Sequence, residues 1–97
     1  MEERRRFTRY SFKEEVLVDG IQLCTSYDIS EEGMYISTIQ TFDKGSIIEL
    51  TIPYKDGKIR LKAEVRYTQP GIGMGVKFID LDNEIKEKIR NIIDSIK

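Results

Sequence analysis

The chain has 97 residues, with 16 Lys and Arg against 17 Asp and Glu, and its formal net charge at pH 7 is −1. This length allows one small domain with a single core, and the balanced charge argues against the broad basic face of a nucleic-acid-binding protein. No histidine is present, which removes the commonest general base and the commonest metal ligand.

The sequence lacks the features of a secreted or membrane protein. No apolar run approaches the length of a membrane span, and no signal-peptide pattern follows the basic N-terminus. Cys24 is the single cysteine, so no disulfide forms within the chain, which fits a reducing compartment. We therefore expect a cytoplasmic protein with no membrane span, no bound metal and no cofactor.

A basic segment lies at the start of the chain, where four arginines fall within six residues: Arg4, Arg5, Arg6 and Arg9. Arginine suits planar, bidentate recognition of phosphates and of the acceptor edge of guanine. A basic chain end is also commonly a solvated terminus without a ligand. The segment by itself does not decide between these two interpretations.

Short apolar runs separated by turn signals follow the basic segment. Asp19-Gly20 and Asp56-Gly57 each separate two such runs, as in β-hairpins, because glycine accepts the positive φ of a tight turn. Pro70-Gly71 predicts a further turn before a last strand at 73–79. Regular spacing of strands and turns predicts a small closed barrel, which leaves few exposed strand edges.

The clearest strand pattern spans residues 59–67. Apolar residues alternate there with charged ones, and a period of two over this length indicates one buried and one solvent-facing side. By this pattern Tyr67 packs in the core, whereas a bulge or a place at the barrel rim would expose it. The apolar side carries Ile59, Leu61, Ala63, Val65 and Tyr67.

Helical periodicity replaces the strand pattern after residue 81. Asp82 or Asn83 can cap the start of a helix, and the isoleucines that follow predict an amphipathic helix. We interpret the isoleucine stripe as a lid over one end of the barrel, with a dimer seam as the alternative. The stripe comprises Ile85, Ile89, Ile92, Ile93 and Ile96.

These elements predict one mainly β domain over residues 1–97. We expect a basic arm at 1–12, a six-stranded antiparallel β-barrel at 13–81 and a C-terminal α-helix at 82–97. No internal repeat, low-complexity run or linker divides the chain.

Two short motifs together resemble the signatures of the PilZ family of cyclic di-GMP receptors. The first, R-x-x-x-R, is formed by Arg5 and Arg9. The second, D-x-S-x-x-G, is formed by Asp28, Ser30 and Gly33. Each motif alone is a weak signal, but both in this order, in a strand-rich chain of this size, are fairly specific. The resemblance extends over the arm, the strands and the closing helix.

The resemblance implies that cyclic di-GMP is the ligand, and the chemistry of the residues agrees with it. An arginine fork matches a phosphate or the O6 and N7 atoms of guanine, the role expected of Arg5 and Arg9 with Arg4 as a helper. Guanine N1–H and N2 amino groups are donors, and we assign Asp28 as their acceptor. The Ser30 hydroxyl would reach a phosphate or a base.

Each of these residues also has a purely structural interpretation. Asp28 and Ser30 commonly satisfy the backbone of tight turns. Gly33 either removes a Cβ where the ligand or the arm comes close, or supplies a positive φ for the turn. Tyr67 matches an aromatic residue that many PilZ domains place near this strand end to stack on a guanine, and core packing is the competing role.

We therefore predict a receptor module that binds cyclic di-GMP and is not an enzyme. The arm would close over the ligand against the D-x-S-x-x-G turn and create a surface for an unidentified downstream protein partner, in a monomer or a homodimer. The alternative is a PilZ-like protein-interaction module that does not bind nucleotide. Nucleic-acid binding through the arm is disfavoured by the acidic Glu31 and Glu32 beside the proposed site.

Overall fold

The computed structural model of the protein describes residues 7–97, which form seven β-strands and one α-helix. The strands are β1 (Tyr10–Ser11), β2 (Glu15–Val18), β3 (Gln22–Ile29), β4 (Gly33–Ser37), β5 (Ile47–Tyr54), β6 (Gly57–Gln69) and β7 (Gly73–Ile79), followed by helix α1 (Asn83–Ile96).

Six of these strands close into an antiparallel barrel. The order is β1-β3-β2-β5-β6-β7-β4, and an additional pairing of β3 with β4 closes the sheet. The predicted six-stranded barrel with a C-terminal helix is therefore confirmed. The remaining strand, β1, lies outside the barrel. It has two residues, falls in the segment predicted as the basic arm, and pairs with the end of β3.

The barrel interior and one face of α1 form a single core. Asp82 caps the helix, and its Oδ1 accepts a hydrogen bond of 2.8 Å from the Ile85 N–H. The isoleucine stripe packs on the barrel of its own chain, as the lid interpretation predicts. The buried isoleucines of α1 are Ile89, Ile92 and Ile93.

Two β-bulges interrupt the alternation of inward and outward side chains. One lies in β3 between Ser26 and Asp28, and the other in β6 between Val65 and Tyr67. A bulge inserts one extra residue in one strand, so the residues after it change sides relative to a strict period of two. Both bulges turn side chains of the predicted site toward the outer surface of the barrel.

Candidate functional site

Five of the seven predicted site residues lie within the described part of the chain. Arg4 and Arg5 lie outside the described residues, as does Arg6. Arg9 directly precedes β1, Asp28 lies near the end of β3, and Tyr67 lies near the end of β6. Ser30 and Gly33 belong to the turn between β3 and β4 and the start of β4.

The contact that brings the two motifs together joins Arg9 and Asp28. Strand β1 aligns Ser11 with Asp28, which places Arg9 beside the end of β3. Arg9 Nη1 donates to Asp28 Oδ1 over 2.9 Å, and both side chains are about a quarter exposed. An ion pair this open contributes about 1 kcal/mol or less to stability, so its importance lies in placing the two motifs side by side.

The bulge in β3 gives Asp28 a second partner. Asp28 lies opposite Tyr35 of β4, with Tyr27 as the extra residue. Its Oδ1 accepts a hydrogen bond of 3.0 Å from the Tyr35 N–H. A backbone donor displaced from the ladder needs such an acceptor. Asp28 therefore satisfies the backbone at the bulge and orients Arg9 with the same oxygen.

Ser30 is buried in the turn that it stabilises. Its hydroxyl accepts hydrogen bonds from the Glu32 N–H at 3.2 Å and the Gly33 N–H at 3.3 Å. Its own N–H donates to the Gly33 carbonyl over 2.8 Å. The side chain is 3% exposed. This geometry agrees with the interpretation of Ser30 as a residue that satisfies the turn.

Gly33 is required by the neighbouring strand, and the positive φ predicted for it is wrong, whereas its approach to the ligand or the arm stays a prediction. Its φ is not positive. A Cβ built on Gly33 would lie 2.1 Å from the Val76 carbonyl oxygen of β7. The space that the missing side chain leaves is therefore filled by backbone of the barrel itself, because β4 and β7 approach closely there.

Tyr67 does not pack in the core, so the core-packing interpretation is wrong and the alternative of a bulge that exposes it holds. The bulge after Val65 pairs Tyr67 with Gly75 and leaves the tyrosine 44% exposed. Its ring lies over Gly75, where a Cβ would overlap it. Gly75 in turn pairs with Tyr35, and Tyr35 with Asp28. Asp28, Tyr35, Gly75 and Tyr67 thus form one row across four strands on the outer face.

Tyr35 is the residue of this row that the sequence reasoning missed. It lies between the buried Met34 and Ile36, so alternation alone predicts that it faces outward. Its place beside Asp28 and Tyr67, however, depends on the two bulges. Burial, and then the neighbouring Tyr67 and Tyr27, raise the pKa of the Tyr35 hydroxyl above its ordinary value.

A second contact ties the turn after β3 to the helix. Arg90 Nε of α1 lies 3.4 Å from Glu31 Oε1. A groove of about 470 Å³ lies between the turn and the helix, and its lining includes Phe7, Glu32 and Ile89. The end of the arm, the turn and α1 are therefore neighbours.

The described residues offer no metal centre and no spanning helix. Among residues 7–97, no three His, Cys, Asp or Glu side chains are grouped so that they could hold a metal ion. Within the same residues, α1 is too short and too polar to cross a bilayer.

Two solved structures have folds similar to that of this chain. The Inhibitor of motility (MotI/DgrA) of Bacillus subtilis is similar with a TM-score of 0.77 and 19% identity, over 97% of this chain and 51% of that chain. YcgR of Escherichia coli, solved in complex with c-di-GMP, is similar with a TM-score of 0.76 and 18% identity, over 96% of this chain and 46% of that chain. This chain spans about half the length of each. No curated protein matches significantly.

A family model gives the assignment. The model of the PilZ domain matches residues 3–95, which include the arginine arm, the D-x-S-x-x-G turn and most of α1. Its extent agrees with the closed barrel and terminal helix described above. The chain therefore belongs to the PilZ domain family.

Proposed function

We propose that this PilZ domain is a receptor that binds cyclic di-GMP at the outer face beside Asp28. The observation that carries the proposal is the ion pair of Arg9 and Asp28, which joins the two motifs across 19 residues of sequence. The complex of YcgR with c-di-GMP supports the same ligand class. A phosphate-binding arginine and a guanine-binding carboxylate side by side match the two functional groups of a cyclic dinucleotide.

The site residues take different roles in the proposal. Arg5 and Arg9 bind phosphate or the guanine O6 and N7 atoms, and Arg4 assists them. Asp28 already uses Oδ1 for Arg9 and the Tyr35 N–H, so Oδ2 accepts from guanine N1–H and N2. Tyr67 presents a partly exposed ring for base stacking.

Ser30 and Gly33 act indirectly. Ser30 holds the turn through its bonds to two backbone N–H groups, and Gly33 lets β4 lie against β7. Together they fix the position of Asp28 relative to β4. We expect changes at either residue to weaken ligand binding through loss of this geometry.

The response to ligand is ordering of the arm against the turn. The contacts of the arginines with ligand offset the entropy lost by the arm. The arm, the turn and α1 then present a joint surface to a downstream protein. The domain acts in the cytoplasm as a monomer or a homodimer, and it neither transforms its ligand nor needs a cofactor.

Isothermal titration with cyclic di-GMP tests the proposal. Arg5→Ala, Arg9→Ala and Asp28→Ala are each expected to weaken binding at least tenfold, because hydrogen bonds to charged groups contribute about 1.5–3 kcal/mol. Arg6→Ala is the matched control from the same arm and is expected to bind as the wild type does. Absence of heat and of chemical-shift changes at high micromolar ligand would refute the proposal and favour a protein-interaction module.

A further inference from the structure

Three tyrosines form a continuous aromatic surface next to Asp28. The Tyr27 and Tyr35 ring centroids lie 6.1 Å apart at an interplanar angle of 69°. Those of Tyr35 and Tyr67 also lie 6.1 Å apart, at 34°. Tyr27 is 57% exposed and Tyr67 44%. The surface therefore presents aromatic rings to solvent, with Tyr35 at its centre.

Glycines of β7 allow two of these rings to lie against the sheet. A Cβ on Gly75 would overlap the Tyr67 ring, and one on Gly73 would lie 2.5 Å from the Ile36 carbonyl oxygen and 2.7 Å from Tyr35 Cε2. The Tyr35 hydroxyl donates a hydrogen bond to the Gln69 side-chain carbonyl. The outer end of the Tyr35 ring is thus held by Gly73 and Gln69, so a ligand that stacks there orders little that is not already ordered.

Covering a strand glycine with an aromatic ring is also a way to stabilise a sheet. That purpose requires neither three adjacent tyrosines nor a junction with a carboxylate. Tyr35 is directly opposite Asp28 in the register, and paired strands lie about 4.8 Å apart. A base whose donor edge meets the Asp28 carboxylate therefore has its face within reach of the Tyr35 ring.

We infer that Tyr35 is the main base-stacking residue of the site and that Tyr27 and Tyr67 flank it. This inference rests on the proposed function, because it names the surface that receives a purine base of the cyclic dinucleotide. The Asp28 carboxylate reads the edge of that base, and the aromatic face holds its plane. Stacking tolerates any base, so selectivity for guanine stays with Asp28 and the arginines.

Binding measurements on three variants test the inference. Tyr35→Leu removes the ring and is expected to weaken cyclic di-GMP binding by about 5- to 150-fold, the range for loss of one stacked base. Tyr35→Phe keeps the ring, loses only the bond to Gln69, and is expected to stay within about threefold of wild type. Tyr54→Leu is the control, since Tyr54 contacts Asn91 of α1 and lies outside the row.

Tyrosine-ring NMR tests the same contact in the unaltered protein. On saturation with cyclic di-GMP, the ring protons of Tyr35 are expected to shift upfield, with smaller shifts for Tyr27 and Tyr67 and none for Tyr54. The inference is overturned if the wild type binds cyclic di-GMP, Tyr35→Leu binds it with the same affinity, and the Tyr35 ring protons do not shift. That result leaves the proposed function standing. No binding by the wild type overturns the proposed function instead.

Discussion

Replacing Gly33 by alanine is expected to destabilise the whole barrel. The Cβ position of Gly33 lies 2.1 Å from the Val76 carbonyl oxygen and 3.2 Å from Lys77 Cα. Real Cβ atoms essentially never come within 3.0 Å of a non-bonded heavy atom, so β4 and β7 must separate by about 1 Å at this point. The pairings of Gly33 with Lys77 and of Met34 with Val76 lie where that separation occurs.

The cost follows from the obstacle, which is backbone and not a flexible side chain. Overpacking of a core costs about 1–3 kcal/mol, and each weakened ladder hydrogen bond adds about 1 kcal/mol. We therefore expect Gly33→Ala to lower the free energy of unfolding by about 3 kcal/mol or more. For a chain of this size, that corresponds to a fall in Tm of more than about 10 °C.

Urea unfolding followed by circular dichroism measures this loss, with two other glycines as references. Gly57→Ala is the matched control, because its nearest neighbour to a new Cβ is 3.9 Å away, and its stability is expected to change by about 0.5 kcal/mol or less. The nearest atoms to a Cβ on Gly75 belong to the outer end of the Tyr67 ring, which can rotate away, so an intermediate loss is expected for Gly75→Ala. If Gly33→Ala unfolds at the same urea concentration as Gly57→Ala, the reasoning from the β7 backbone is refuted.

Three further predictions concern other parts of the fold. Ser26→Ala removes a buried hydroxyl that donates to the Phe12 carbonyl at 2.6 Å and accepts from the Glu14 N–H at 3.0 Å. Urea unfolding is expected to show a free energy of unfolding lower by about 1–3 kcal/mol. An unchanged midpoint would show that water replaces the two hydrogen bonds. Asp82→Ala removes the helix cap and is expected to cost about 1 kcal/mol, whereas an equal midpoint would mean that α1 needs no cap. Burial raises the pKa of the Cys24 thiol, so its reactive thiolate forms only at higher pH. Iodoacetamide at pH 8 is therefore expected to label Cys24 far more slowly in the native protein than in urea. Equal labelling rates would contradict this prediction.

Much of the fold was predictable because its determinants are local in sequence. The alternation at 59–65 identified both sides of β6, and the buried residues Ile59 and Val65 lie as predicted. The cap at Asp82 and the isoleucine spacing predicted α1 for the same reason, since helix caps and amphipathic faces depend only on neighbours within a few residues. Arg9 and Asp28, which the two motifs single out, are in contact in the structure, and their binding of a ligand stays a prediction.

The errors arose where a residue's environment is set by another strand. Tyr67 follows the inward pattern of Val65, but the bulge between them turns it outward. A bulge depends on the hydrogen bonds of two paired strands, so the periodicity of one strand does not reveal it. Glycine is needed at position 33 because the Val76 carbonyl leaves no room for a Cβ. Val76 is 43 residues away in sequence, and no local pattern connects the two.

The sequence by itself therefore determined the strands, the turns, the closing helix and the two motifs, because each depends on side chains close together along the chain. Only the tertiary structure decided that one oxygen of Asp28 accepts hydrogen bonds from both Arg9 and the Tyr35 N–H at the bulge. It likewise decided that Ser30 is buried inside its turn. It also decided that Tyr35 and Tyr67 share one outer row with Asp28. These relations follow from strand register, which is set by closure of the barrel as a whole.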